Sequence, residues 1–192
     1  MNLYFRFLWV FITGLFNRST ITGKQPSRLT FRTWLFDLDP NFHMTNARYL
    51  SFMDLGRVDY MIRTELGPAV VKYKWAPMVG STFIRYRIGL KPLQKFELIT
   101  SVLGWDEKWF FMEQRFESHG KVYAVGLIRG LFKDKKRNVS PRELIDLLGM
   151  KESDNEIGEF GEHFQSLEEI SRHRMAVLSK SLEGEPVEKL KQ

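Results

Sequence analysis

The sequence predicts an α+β fold in which one long helix is covered by an antiparallel sheet, and three observations carry that prediction. Residues Thr45 to Leu66 read as a single amphipathic helix. A succession of strand-like runs follows it. A cluster of turn formers, DLDPNFHM, separates the helix from an apolar run before it. One long helix followed by several strands is the pattern of a sheet packed on a helix rather than of alternating β–α units.

The elements follow in chain order. Met1–Phe16, MNLYFRFLWVFITGLF, contains six aromatics and a single charge, Arg6. Its uncharged part is only about ten residues long, against roughly 20 for a spanning helix, and no convincing small-x-small cleavage site follows it. Asn17, Arg18, Lys24 and Arg28 come next. Two readings stand: a helix lying in a membrane interface with basic residues near anionic lipid, or a helix packed on the domain or on a partner subunit. Residues 17–29, rich in Ser, Thr, Gly and Pro, read as a linker. Leu29–Phe36 has the aromatic and β-branched content of a strand.

For the helix itself, Thr45 or Asn46 serves as cap, and Leu50, Met53, Gly56 and Tyr60 recur at spacings of three and four. Gly56 weakens the helix and permits a close backbone approach. Gly67-Pro68 is expected to stop it. Strands are expected at Val70–Trp75, Ser81–Leu90, Phe96–Trp105, Lys108–Ser118 and Val122–Phe132, with hairpin turns at Asp106-Glu107 and His119-Gly120. Ser140-Pro141-Arg142-Glu143 is a capping-box pattern opening a short helix. Phe160–Leu182 reads as a charged amphipathic helix, and Glu183–Gln192 as a frayed acidic end.

Composition narrows the function. With 43% hydrophobic and 27% charged residues, the 192-residue chain has the balance of a globular protein. It has no cysteine, which removes disulfide scaffolds, thiolate metal sites and cysteine nucleophiles. The net charge of +6 is uneven, because residues 1–36 hold five basic residues and no acidic one. A solvated surface accounts for such a charge, and so does an anionic partner such as a lipid headgroup or a phosphorylated ligand. No nucleic-acid recognition motif is present. There is no Gly-x-Ser-x-Gly elbow, P-loop or dinucleotide fingerprint. His43, His119, His163 and His173 lack metal-ligand spacing, so neither metal nor cofactor is expected.

The order of strand, DLDPNFHMTNARYL, long helix and antiparallel strands, together with LKPLQKFE and VSPRELIDLLG, resembles the hotdog thioesterases of the 4-hydroxybenzoyl-CoA thioesterase type. The match covers roughly residues 28–150, and with the apolar leader it is nearest to the thioesterase-superfamily-member-six-like branch. The resemblance implies that Asp39 occupies the position of a catalytic carboxylate. Asp39, Asn41 and His43 also reproduce the Asp-x-Asn-x-His spacing of plant-type acyl-carrier-protein thioesterases. Asn46 and Tyr49 match the pattern at the helix start. The chain departs from its relatives in having Thr45 where many carry Asn.

Physical chemistry supports the same segment. Thioester hydrolysis needs an activated water or nucleophile and a group that stabilises charge on the carbonyl oxygen. A carboxylate before a helix supplies the first, and unpaired N–H groups of the opening turn supply the second. Asp39 is therefore the expected base or nucleophile, with Asn41 and His43 orienting it. Thr45, Asn46, Ala47 and Tyr49 are expected to bind substrate.

The expected organisation is a leader over 1–16, a linker over 17–29, a hotdog domain over 30–150 and a helical extension over 151–192. The expected activity is hydrolysis of fatty-acyl or aryl thioesters of coenzyme A or acyl carrier protein. The alternative is a non-catalytic acyl- or lipid-binding hotdog protein at a membrane surface. Lys91, Lys133, Lys135, Lys136 and Arg137 are the candidates for coenzyme A phosphates. The resemblance also implies a homodimer, or a dimer of dimers, with sheets joined edge to edge. A cytoplasmic, membrane-associated protein that binds no nucleic acid is expected.

Overall fold

The computed structural model describes residues 3–16, 21–135 and 137–182. Among the described residues, five helices and five strands occur in the order α1 (Leu3–Phe16), β1 (Ser27–Arg32), α2 (Asn46–Arg63), α3 (Leu66–Tyr73), β2 (Ala76–Tyr86), β3 (Lys95–Trp105), β4 (Phe110–Ser118), β5 (Lys121–Lys133), α4 (Pro141–Leu148) and α5 (Gly158–Leu182). The strands form one antiparallel sheet in the order β1-β3-β4-β5-β2. The chain divides into two compact units at Glu156/Ile157, and α5 makes up the described part of the second. Asn17, Arg18 and the acidic end Glu183–Gln192 lie outside the described residues.

The long helix forms where its cap predicts. Thr45 holds an extended backbone, and its hydroxyl accepts the Arg48 N–H, satisfying one of the orphan donors of the first turn. The helix buries Tyr49, Phe52, Met53, Leu55, Gly56 and Tyr60 against the sheet. There the Phe52 ring meets Phe31 at 4.9 Å and Phe96 at 5.1 Å between centroids, and the Tyr49 ring meets Phe116 at 4.8 Å. Each buried aromatic contributes on the order of 2 kcal/mol through the surface it removes from water. Gly56 is the point of closest approach. A Cβ there would stand 2.5 Å from Thr100 Oγ1 and 2.6 Å from Gln114 Nε2. The buried Gln114 amide donates to the Met53 carbonyl and to Thr100 Oγ1, both at 2.9 Å, tying helix to sheet.

The hairpin turns stand as expected. Asp106 Oδ1 accepts the Lys108 and Trp109 N–H groups. His119 and Gly120 both have positive φ, the requirement of a two-residue type I′ turn. Ser140 caps α4, with Glu143 returning to the Ser140 N–H.

Three expectations are corrected. Val70–Trp75 is not a strand. Residues Leu66–Tyr73 are helix α3, and Lys74 ends it in the left-handed region. Two adjacent valines favour a strand locally, but Leu66 and Ala69, three apart, are the buried positions, which is a helical spacing. Gly67-Pro68 accordingly does not end the long helix. Thr64 does so, its hydroxyl donating to the Tyr60 carbonyl at 2.9 Å. Pro68 sits in the first turn of α3, where its missing N–H has no partner to lose. The first strand is also shorter than its apolar run. It ends at Arg32, and Leu35–Asp37 form a short 3-10 turn.

Helix α1 packs on α2. Its buried residues are Arg6, Val10 and Gly14, and the Gly14 backbone lies against the Ile62 side chain. The outer edges of β1 and β2 pair with no strand among the described residues.

Candidate active site

The segment between the short 3-10 turn and α2 is a tight loop closed by its own backbone. The Asp39 N–H donates to the His43 carbonyl at 2.8 Å, and the Phe42 N–H donates to the Asp39 carbonyl at 3.0 Å. Asp39 Oδ1 accepts the N–H of Asn41 at 2.9 Å and that of His43 at 3.1 Å. This is an Asx-type turn, in which a short carboxylate substitutes for backbone acceptors. Phe42 is left-handed at φ 58° and exposed. Asp39 is half-buried, and its Oδ2 carries no hydrogen bond among the described residues. One carboxylate oxygen therefore shapes the loop while the other is available for chemistry.

The start of α2 supplies the complementary feature. Thr45 donates its own N–H to the Asp37 carbonyl at 2.9 Å, so that amide is already committed. The N–H groups of Asn46 and Ala47 have no acceptor among the described residues, and both residues are exposed. They stand at the positive end of an 18-residue helix. Of Thr45, Asn46 and Ala47, only the last two thus present an unbonded amide among the described residues.

Tyr49 and His43 are held from the other side by the segment that leaves β2. The Met44 N–H donates to the Leu90 carbonyl at 2.9 Å, and the Leu90 N–H donates to the Tyr49 hydroxyl at 3.3 Å. Burial between Phe116 and Tyr86 pushes the Tyr49 hydroxyl above the ordinary tyrosine range, opposed by the Leu90 N–H. Gly89 lies against the His43 side chain, and a Cβ on it would come within 2.4 Å of His43 Cδ2. Neither Gly89 nor Leu90 stood out in the sequence, because nothing local marks a residue that serves a contact so distant along the chain.

Asp37 ends the short 3-10 turn at the entry to the loop. It is fully buried and receives both arms of the Arg6 guanidinium, at 2.9 Å and 2.6 Å. Arg48 Nε lies 3.3 Å from Asp37 Oδ1, and the Trp34 N–H donates to Oδ2 at 2.9 Å. The Arg6 guanidinium also stands 4.6 Å from the centre of the Phe52 ring. A signal for this existed in the sequence: a lone arginine in an otherwise uncharged apolar helix needs a buried partner.

The basic candidates are not brought together. Lys91 directly follows Leu90 and is exposed at the loop end of the sheet. Lys133 pairs with Ala76, at the end of β2 opposite Tyr86. Ten residue steps along a strand put it about 30 Å away. Lys135 and Arg137 lie in the loop beyond Lys133. Arg137 is engaged by Glu143 through both nitrogens, which holds the Glu143 carboxyl below its usual range. Lys136 lies outside the described residues.

An apolar cavity of about 220 Å³ lies beside the second half of α2, lined by Met61, Leu66, Met78, Phe110, Met112 and Leu131. Arg57 lines it as well, pairing with Asp54 and donating to Gln114 Oε1 at 3.1 Å. Among the described residues no three His, Asp or Glu side chains converge in a way that would hold a metal ion.

A family model described as the thioesterase-like superfamily matches residues 33–166. Protein THEM6 of Danio rerio is 35% identical over 159 residues, spanning 77% of this chain and 75% of its own length. The fold matches the probable thioesterase YbaW of Escherichia coli with a TM-score of 0.60 at 22% identity, over 63% of this chain and 95% of that one. It matches a 4-hydroxybenzoyl-CoA thioesterase, solved with 4-hydroxybenzoyl-CoA, with a TM-score of 0.57 at 14% identity, over 65% of this chain and 99% of that one. The chain belongs to the thioesterase-like superfamily, and the reaction class this membership gives it is the hydrolysis of thioesters.

Proposed function

We propose that the protein hydrolyses fatty-acyl or aryl thioesters of coenzyme A or acyl carrier protein at the Asp37–Tyr49 segment. The observation that carries this reading is the unbonded Oδ2 of Asp39 on a loop that leads directly into two unpaired helix amides, those of Asn46 and Ala47. Asp39 attacks the thioester carbonyl, expelling the thiolate and leaving a mixed anhydride that water opens, or it takes a proton from the attacking water and the tetrahedral intermediate then expels the thiolate. The two amides receive the negative charge that develops on the carbonyl oxygen, and their fixed orientation lets them do so without reorganising. Asn41 and His43 orient the water or the carboxylate, and the buried Tyr49 hydroxyl holds the Leu90 strap in place.

The free edge of β2 pairs with the same edge of a second copy in this reading, removing an exposed strand edge. The apolar cavity is partly lined by Pro77, Met78 and Val79 of that strand. It lies roughly 20 Å along α2 from Asn46 and takes the distal part of a long acyl chain, with Lys91 on the coenzyme side. Release of thiol from a panel of acyl-CoA and aryl-CoA esters by the wild-type protein tests the proposal. Turnover of at least one member is the expected result. A folded protein that turns over none of them, nor an acyl-carrier-protein thioester, yet retains acyl ligand, is instead the non-catalytic acyl-binding protein.

A second reading concerns location. Helix α1 exposes nine large apolar residues, including Phe5, Trp9, Phe11 and Phe16, while its only charge is turned inward. Among the described residues no helix is long and apolar enough to cross a membrane. An uncharged aromatic face of this kind lies in a lipid interface. Full-length protein should float with phosphatidylcholine vesicles containing about a quarter phosphatidylserine. Replacing Phe5, Trp9 and Phe11 by Ser should abolish flotation. A triple variant that still floats would assign that face to another role.

A further inference from the structure

The leader helix and the candidate site meet at one buried ion pair, and from this we infer that Arg6 is a positioning residue for hydrolysis. The inference rests on the reading of Asp39 given above. Asp37 uses every acceptor it has. Its two carboxylate oxygens take the two arms of Arg6, the Trp34 N–H and the nearby Arg48, and its carbonyl takes the Thr45 N–H. Through the carbonyl it fixes the cap of α2, and through the carboxylate it fixes the entry to the loop. Asp39 lies between those two fixed points. Whatever sets Asp37 therefore sets Asp39 Oδ2 relative to the amides of Asn46 and Ala47.

Arg6 sets Asp37. Its side chain is only 2% exposed and Asp37 is wholly buried, so water cannot take over from the guanidinium. The two parallel N–H···O bonds match the planar fork of arginine, which lysine cannot reproduce. Arg48 is the other cation at this carboxylate, and it is partly exposed, reaching one oxygen at 3.3 Å. Helix α1 is thus a wall of the catalytic domain, held to the site by the one charged side chain it carries. Loss of Arg6 leaves a buried carboxylate with Arg48 and the Trp34 N–H, and the loop shifts to relieve it. A displacement of about 1 Å at a reacting group is enough to cost roughly a hundredfold in rate.

The test uses the full chain as wild type, Arg6→Met and Arg6→Lys, each assayed roughly 15 °C or more below its own melting temperature. Two readouts are needed. In hydrogen–deuterium exchange, amides of the 38–46 segment should exchange about tenfold or more faster in Arg6→Met, while those of β4 and β5 stay at wild-type rates. In the hydrolysis assay, kcat should fall about tenfold or more with KM within about threefold, and Arg6→Lys should fall between the other two. A merely structural loss would raise exchange across the whole sheet and would not divide kcat from KM. Wild-type exchange in 38–46 together with wild-type kcat in Arg6→Met overturns the inference. Should Arg6→Met fail to fold, Arg6→Lys decides by the same measurements, and wild-type behaviour in it overturns the inference. A wild-type protein that hydrolyses nothing refutes the reading of Asp39, and the exchange pattern then decides alone whether Arg6 positions this loop.

Discussion

Asp39→Asn should lower kcat by about a hundredfold or more, equivalent to at least about 2.7 kcal/mol of transition-state stabilisation, while the melting temperature changes little. The separation of the two effects follows from the two oxygens of the residue. Oδ1 closes the loop by accepting the Asn41 and His43 N–H groups. Asparagine keeps an acceptor in that place, so the turn survives. The second position becomes an NH₂ group, which neither attacks a carbonyl nor takes a proton from water. Asp39→Ala removes both functions and should lose stability as well as rate, by on the order of 1 kcal/mol for the turn bonds. Steady-state kinetics on the best acyl thioester, alongside thermal melting, separates these outcomes. Equal turnover by wild type and Asp39→Asn would take Asp39 out of the chemistry and leave it a turn residue.

Gly56→Ala should destabilise the protein by about 2–4 kcal/mol and lower the melting temperature by on the order of 10 °C. The sign is informative, because the same change in an open helix stabilises it by roughly 0.5–1 kcal/mol. Here the added methyl would overlap Thr100 Oγ1, Gln114 Nε2 and the Leu98 side chain. Either α2 lifts from the sheet or Gln114 turns away and leaves its buried bonds to Met53 and Thr100 unmade. Denaturant unfolding of the variant measures the loss, and a Gly56→Ala protein as stable as wild type would mean that α2 does not press this closely on β3 and β4.

The Asp-Leu-Asp-Pro-Asn segment was legible because its chemistry is local. Asp39 makes its turn with Asn41 and His43, two and four residues on, and Thr45 caps with Arg48, three residues on. The same holds for the capping box at Ser140 and for the left-handed pair His119-Gly120. Close approach at Gly56 was also readable, since a glycine inside an apolar helix costs stability unless something uses the space. The valine pair of α3 misled because propensity at Val70-Val71 pointed one way and the burial of Leu66 and Ala69 pointed the other. Burying two side chains outweighs the small intrinsic preference of two valines for a strand.

The chain alone, through cap residues, turn formers and the period of its apolar positions, determined the long helix, the hairpins, the α+β class and the loop on which Asp39 sits. Tertiary structure decided that Arg6 reaches Asp37 across 31 positions, that Gly89 makes room for His43, that the Thr45 amide is spent and those of Asn46 and Ala47 are open, and that Lys91 and Lys133 stand at opposite ends of the sheet. Those facts depend on which distant segments share the same small volume, and no pattern within a few residues of any of them encodes that.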